Sequence, residues 1–337
     1  MLAVALGRPL GVEDSDCDVE LPVDVDDEWL PEYFKGAQLS QKPPSLMSGI
    51  IALVTLYQIA GRVLRQVYAI DCCKETLEPE KRVELHRSIE ALDAELARWF
   101  DNLPSYFRNP STSDKHMTMT VVLGSHYYSV LTTLHRNFLP VRRDQSVVPN
   151  STARAVTSAR SYIRLAPSIN SVVPTSHHLA FFIQHLFSSS VVILLYAMHC
   201  LDTKAVAVAM EEARSCLPII ESWEGYWPGA RKCKELLAEL TSTADEAIRR
   251  TTETSRMPMG QNVAPAALES RRPPVSSSGQ VPTMNRPIKM KPRRISRSRD
   301  PSTTRRSAVA SPYRVDCKES ICSALILSDS LCGLSTA

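Results

Sequence analysis

Glycine is scarce: the chain has 11 in 337 residues, and its closest pairs, Gly7 with Gly11 and Gly225 with Gly229, lie four apart. No dinucleotide fingerprint or P-loop can be written with that spacing. Both need glycines because backbone amides must approach phosphate more closely than a Cβ allows. There is no Gly-x-Ser-x-Gly elbow to present a serine nucleophile. Nine cysteines are too few for a small disulfide-stapled secreted domain, and no basic stretch precedes a long apolar run at the N-terminus. Reduced thiols and no secretory signal are therefore expected. Histidine pairs four apart are also lacking, which removes the zinc-protease helix motif. His178 and His185 are seven residues apart, roughly 10 Å along a helix and too far to share an ion. Polar positions on a mostly buried helix suit them better, although other helices could contribute ligands.

What is present divides sharply by charge. Residues 249–337 hold 16 of the 39 basic residues and 6 of the 36 acidic ones, so a body of −7 precedes a tail of +10. The first 36 residues carry ten carboxylates against two basic side chains. A calcium loop would need alternating oxygen ligands, a turn glycine and a closing Glu twelve residues from the first, and these are not arranged so. Pro9, Pro22 and Pro31 interrupt any strand. Residues 1–45 are read as an extended, acidic segment laid over a helical body.

Helical periodicity begins at Leu46. Apolar residues recur at Ile50, Leu53, Val54, Tyr57, Ala60, Leu64 and Val67, with Thr55, Gln58, Arg62 and Arg65 opposite. A second amphipathic pattern opens at Pro79, where a missing amide does no harm, and repeats Leu85, Ile89, Leu92, Leu96 and Trp99. Further helices are expected near 117–138, 151–166, 177–201, 204–221 and 230–248, separated by prolines that include Pro104, Pro140, Pro167 and Pro228. About seven helices over 46–248 predict one all-α domain. Leu179–Leu201 carries no formal charge and has the length of a membrane span, but Gln184, His185, Ser188–Ser190 and His199 favour a central buried helix. Residues 249–337, rich in Arg, Pro and Ser, cannot bury enough surface to offset their ordering entropy and are expected to be disordered. Within them Lys289, Lys291, Arg293 and Arg294 form a candidate nuclear-import cluster. A solvated linker without any address is the alternative for this run. Stacking aromatics are absent there except Tyr313, which argues against a single-strand nucleic-acid platform.

Several motifs are more specific than composition. Gly7-Arg8-Pro9-Leu10, followed by Glu13-Asp14-Ser15-Asp16-Cys17-Asp18-Val19-Glu20-Leu21-Pro22, resembles the opening motif of the fungal-specific transcription factor domain, the middle homology region of fungal zinc-cluster regulators. The likeness continues through Trp99-Phe100-Asp101-Asn102-Leu103-Pro104 and Leu134-His135-Arg136-Asn137-Phe138-Leu139-Pro140, where the family more often has Pro at position 137. Ser176-His177-His178-Leu179 and Trp227-Pro228-Gly229-Ala230-Arg231 complete it, so it spans about residues 7–248. The resemblance implies a nuclear regulatory domain controlling RNA polymerase II transcription, with no catalytic residue and no cofactor of its own. Gly7, Arg8, Pro9, Asp18, Pro104, His135, Arg136 and Pro140 would be structural signatures, with Arg136 paired to an acidic residue such as Asp18.

The family's DNA-binding unit is a six-cysteine, two-zinc cluster beginning Cys-x2-Cys-x6-Cys, and this sequence contains no such run. We expect that cluster, with its zinc and DNA contact, and the early helices of the regulatory domain to lie upstream of this chain. Apolar stripes such as that of 46–70 would then lack partners, at about 25 cal/mol per Å² left in water, and a homodimer would cover them. Co-regulators, the transcription machinery and a small-molecule effector are the other implied partners; a membrane is not. The alternative is a helical protein-interaction or small-ligand-binding module without DNA binding of its own.

Overall fold

A computed structural model describes residues 10–36, 45–69, 72, 78–108, 113–139, 150–173 and 180–256. The described part is all-α, with nine helices and no strand among the described residues. Two are short, α1 (Leu30–Phe34) and α4 (Ser105–Arg108). The seven long ones are α2 (Leu46–Gln66), α3 (Pro79–Asp101), α5 (Asp114–Arg136), α6 (Ser151–Val172), α7 (Ala180–His199), α8 (Thr203–Ser222) and α9 (Pro228–Arg256). The expectations for Gly7, Arg8, Pro9, Pro140, the tail beyond residue 256 and its cluster Lys289, Lys291, Arg293 and Arg294 lie outside the described residues.

The acidic segment is extended apart from two 3-10 turns (Asp14–Asp16 and Asp27–Trp29) and α1. Its carboxylates hold it against α2. Asp26 Oδ1 accepts from the Ser45 hydroxyl at 2.8 Å and from the amides of Leu46 and Met47 at 3.0 and 3.2 Å. Ser45 Oγ accepts from Met47 N–H at 3.1 Å as the N-cap, so three groups at the start of α2 that would otherwise be orphaned are satisfied. The Ser48 hydroxyl donates to Asp24 Oδ1 at 2.6 Å. At the other end of α2, Arg65 meets both Glu13 (2.5 Å) and Asp14 (2.8 Å).

Two hydrophobic clusters share α5. One joins α2 and α3 to it through Leu56, Ile59, Leu92, Leu96, Leu123 and Leu134; the other gathers residues of α6–α9. At the centre of the second lies α7, where Leu186, Val191, Val192, Ile193 and Leu194 have no exposed surface. Phe181–His199 is long and apolar enough to cross a membrane, but 83% of that stretch is buried inside the fold, as a core helix is. By length and composition α2 also qualifies, with 28% buried. It does pack on α3 and α5, while Ile50 and Val54 remain exposed.

The structure corrects two boundaries: α9 runs on to Arg256, through residues 249–256 that were expected to be disordered, and a proline fails to stop α6. Pro167 does not end its helix: α6 continues through it to Val172. A proline costs about 3 kcal/mol in a helix interior. Here Ala166 and Ile169, on either side of it, are fully buried, and that packing keeps the chain helical. Pro218 lies inside α8 in the same way, near the fully buried Cys216 and Ile220.

Candidate functional site

The C-terminal half of α5 contradicts a simple apolar core. Ser125, His126, Ser129, Thr132, Thr133, His135 and Arg136 are all buried, and α7 adds buried Gln184, His185, Ser188 and Ser189. A buried polar group is costly unless hydrogen-bonded, so each partner matters. The Ser129 hydroxyl lies 2.9 Å from His185 Nδ1, and Tyr57 of α2 puts its hydroxyl 3.1 Å from His126 Nδ1. Thr132 meets Ser158 of α6 at 2.9 Å. Arg136 Nε donates to the Tyr68 hydroxyl at 3.0 Å and Nη1 to Ser188 Oγ at 3.3 Å, while Tyr68 donates to the Thr133 carbonyl at 2.7 Å.

Burial sets the protonation of this zone. It lowers His126 to about 4 and takes His185 well below the ordinary imidazole value, helped by the nearby His126 and Arg136. The same burial raises Tyr57. Both imidazoles and the phenol are therefore neutral at physiological pH. Two acceptor or donor atoms here, Gln184 Oε1 and His185 Nε2, are buried without a hydrogen-bond partner.

Two adjoining spaces border the zone. The larger, about 190 Å³, lies between α2, α5, α7 and the acidic segment, with walls from Leu10, Val12, Ala60, Gly61, Val63, Leu64 and Val130. Ser129, Thr133 and His185 form its polar end, and Asp14 and Arg65 also border it. The smaller, about 10 Å³, shares Ser129, Thr133 and His185 and adds Thr132, Arg136, Gln184, Ser188 and Ser189. That is room for one water-sized group.

A second polar constellation pins three helices. His135 Nδ1 lies 3.0 Å from Ser151 Oγ at the start of α6, and its Nε2 lies 3.0 Å from Asp93 Oδ1 on α3. Asp93 Oδ1 also accepts from Arg154 Nε at 3.0 Å and Nη2 at 2.6 Å. The sequence Ser, His, Asp invites comparison with a hydrolase triad, but Ser151 is only 1% exposed and borders neither space. A nucleophile that substrate cannot reach does no acyl transfer. The array braces α3, α5 and α6.

Of the expected signature residues, His135 and Arg136 thus sit at neighbouring but separate networks. Pro104 opens α4, its carbonyl accepting from Phe107 N–H at 2.9 Å. Asp18 is exposed, and among the described residues Glu13 and Asp14 of its segment meet Arg65. Asp93, Ser129 and Ser151 were not singled out from the sequence, and Gln184 and Ser188 were noted only as polar positions of a buried helix. The signal was there in α5, where Ser125, His126, Ser129, Thr132, Thr133 and Arg136 recur at three- and four-residue steps. Among the described residues no group of three or more His, Cys, Asp or Glu could hold a metal ion. Cys17, Cys72, Cys200 and Cys216 are free thiols. Nothing described here fits zinc.

Comparison with known proteins gives this architecture a context. Residues 1–101 match the family model of the fungal specific transcription factor domain. An uncharacterized transcriptional regulatory protein of Schizosaccharomyces pombe is 25% identical over 252 residues, 68% of this chain and 30% of the relative. Cutinase transcription factor 1 alpha of Fusarium vanettenii is 26% identical over 242 residues, 67% of this chain and 24% of the relative. Transcriptional activator protein acu-15 of Neurospora crassa is 33% identical over 117 residues, 34% of this chain and 12% of the relative. The chain thus spans less than a third of the length of these relatives. No solved structure matches. The chain is therefore similar to the fungal specific transcription factor domain over residues 1–101, and to fungal transcription regulators over about two thirds of its length.

Proposed function

We propose that this chain is the regulatory domain of a fungal zinc-cluster transcription factor, acting in the nucleus on RNA polymerase II transcription and serving as the part that senses rather than the part that binds DNA. The match of residues 1–101 to the fungal specific transcription factor domain carries this reading. The partly apolar space ending at Ser129, Thr133 and His185 supports a sensing role, because small-molecule sites combine apolar walls with a few placed polar groups. DNA contact and zinc belong, in this reading, to a cysteine cluster outside the chain. Transcription co-regulators and a second copy of the chain are the protein partners. No catalytic step is assigned to any residue.

Residues 1–337 fused to a heterologous DNA-binding head are expected to change transcription of a reporter carrying that head's site, relative to the head alone. An unchanged reporter in a fungal host, with the fusion present at normal level, sinks the reading. Import is a separate expectation. Residues 285–307, which contain Lys289, Lys291, Arg293 and Arg294, should carry a fluorescent reporter into the nucleus. A reporter that stays cytoplasmic assigns import to another part of the full-length protein.

A further inference from the structure

The two adjoining spaces differ in kind, and that difference specifies a ligand. The larger has room for slightly more than benzene, which occupies an engineered cavity of about 150 Å³, so its roughly 190 Å³ suits about eight non-hydrogen atoms. Its walls at Leu10, Val12, Ala60, Val63, Leu64 and Val130 offer little to a polar body. The cation on its border, Arg65, is already engaged by Glu13 and Asp14, so an anion meets two carboxylates there and gains little. At the polar end stand Ser129, Thr133 and His185, which also line the space for a single water-sized group beside Arg136, Gln184 and Ser188. A carboxylate, with two oxygens to solvate, does not fit that space; one hydroxyl does. A hydroxyl also both donates and accepts. It can therefore serve the partnerless Gln184 Oε1, which only accepts, together with a donor such as the Ser188 hydroxyl.

We propose that this site binds an uncharged, largely apolar molecule of about eight non-hydrogen atoms that carries a single hydroxyl group, with the apolar body between α2 and α5 and the hydroxyl at the α5–α7 polar end. The proposal rests on reading the space as the sensing site, and it names the chemical class sensed. Gly61 supplies the control. A Cβ there would find only the Arg65 guanidinium, at 3.5 Å or more, so a larger side chain enters the space without striking backbone.

The test is calorimetric titration of the full 337-residue chain with 1-heptanol and, separately, with heptanoate at neutral pH. Saturable one-to-one binding of 1-heptanol is expected, with heptanoate weaker by about tenfold or more because a carboxylate has two oxygens to solvate where one water-sized group fits, Arg65 is held by two carboxylates, and Arg136 already donates to Tyr68 and Ser188. Gly61→Leu should weaken 1-heptanol by a similar factor while leaving the helical circular dichroism unchanged. If that variant does not fold, Ala60→Leu fills the space from the adjacent position. Heptanoate binding as tightly as 1-heptanol, non-saturable uptake of both, or a folded Gly61→Leu chain that binds unchanged would each overturn the proposal. The reporter fusion separates the two readings. A chain that binds 1-heptanol but never alters transcription removes the regulatory role and leaves the ligand class. A fusion that regulates but ignores 1-heptanol in titration removes the ligand class alone.

Discussion

Acidification from about pH 6.5 to about pH 5 is expected to remove about 2 kcal/mol of stability through His126 alone. Burial lowers this imidazole to about 4 in the folded chain, against an ordinary value of about 6.5 when unfolded. Within that window the unfolded state binds a proton that the folded state refuses. Stability therefore rises with pH through the window, is complete above about 6.5, and is lost progressively as the pH falls toward 4. His185, also depressed by burial, acts in the same direction. The environment of the pair contains no carboxylate among its described hydrogen-bond partners: Tyr57 faces His126, and Ser129 faces His185. Urea midpoints measured at half-unit steps will show the slope. His126→Gln, which cannot titrate, should flatten it by about one proton's worth, about 1.4 kcal/mol per pH unit. An unaltered slope in the variant would show that His126 protonates freely inside the fold.

Replacing Asp93 by Ala is expected to cost about 3 kcal/mol, the upper range for losing hydrogen bonds to a charged group when a buried partner is left behind. One oxygen of Asp93 serves both His135, whose side chain is 4% exposed, and Arg154. Removing it strands an imidazole with no route to water while unlinking α3 from α5 and α6. Arg154 is partly solvated and contributes the smaller share. Glu95→Ala, at the more exposed pair with Arg62, should cost under about 1 kcal/mol. A cycle of Asp93→Ala with His135→Ala should give a coupling of about 1 kcal/mol, and additive single effects would dissolve the brace. Burial opposes ionisation of Asp93, yet the hydrogen bonds from His135 and Arg154 win and hold it below the usual aspartate value. Its contribution is thus fully present above about pH 3.9 and disappears as the pH falls through the lower native value, a separate window from that of His126.

The helices were legible because their apolar positions repeat at the helical period and their polar faces are truly polar, as in α3, where Leu85, Ile89, Leu92, Leu96 and Trp99 are the buried set. Proline misled in one place. At Pro167 tertiary burial of Ala166 and Ile169 outweighs a local rule that operates cleanly at Pro79 and Pro228, where no amide is lost. The candidate site was much less legible. His135 and Arg136 could be singled out as neighbours in one motif, but consecutive residues on a helix point about 100° apart, and they serve different networks. Asp93 meets His135 across 42 residues of chain, and Gln184 and Ser188 come to α5 from another helix. Such partnerships depend on how helices cross, which periodicity does not encode. The acidic segment shows the converse: its composition foretold an extended strap, while the particular capping of α2 by Asp26 needed the coordinates.

The sharing of α5 by both hydrophobic clusters has a consequence during synthesis. On a ribosome the chain emerges from its N-terminus, and Leu56, Ile59, Leu92 and Leu96 leave the tunnel well before Leu123 and Leu134, the residues that cover them. Through that interval the apolar faces of α2 and α3 that α5 covers in the fold are without α5. Once α5 has emerged the first cluster can close, and α5 then offers a surface to α6 and α7, on which α8 packs in turn. Nascent chains stalled before α5 are therefore the species that cytosolic chaperones should hold most strongly, and release should coincide with the appearance of a single helix.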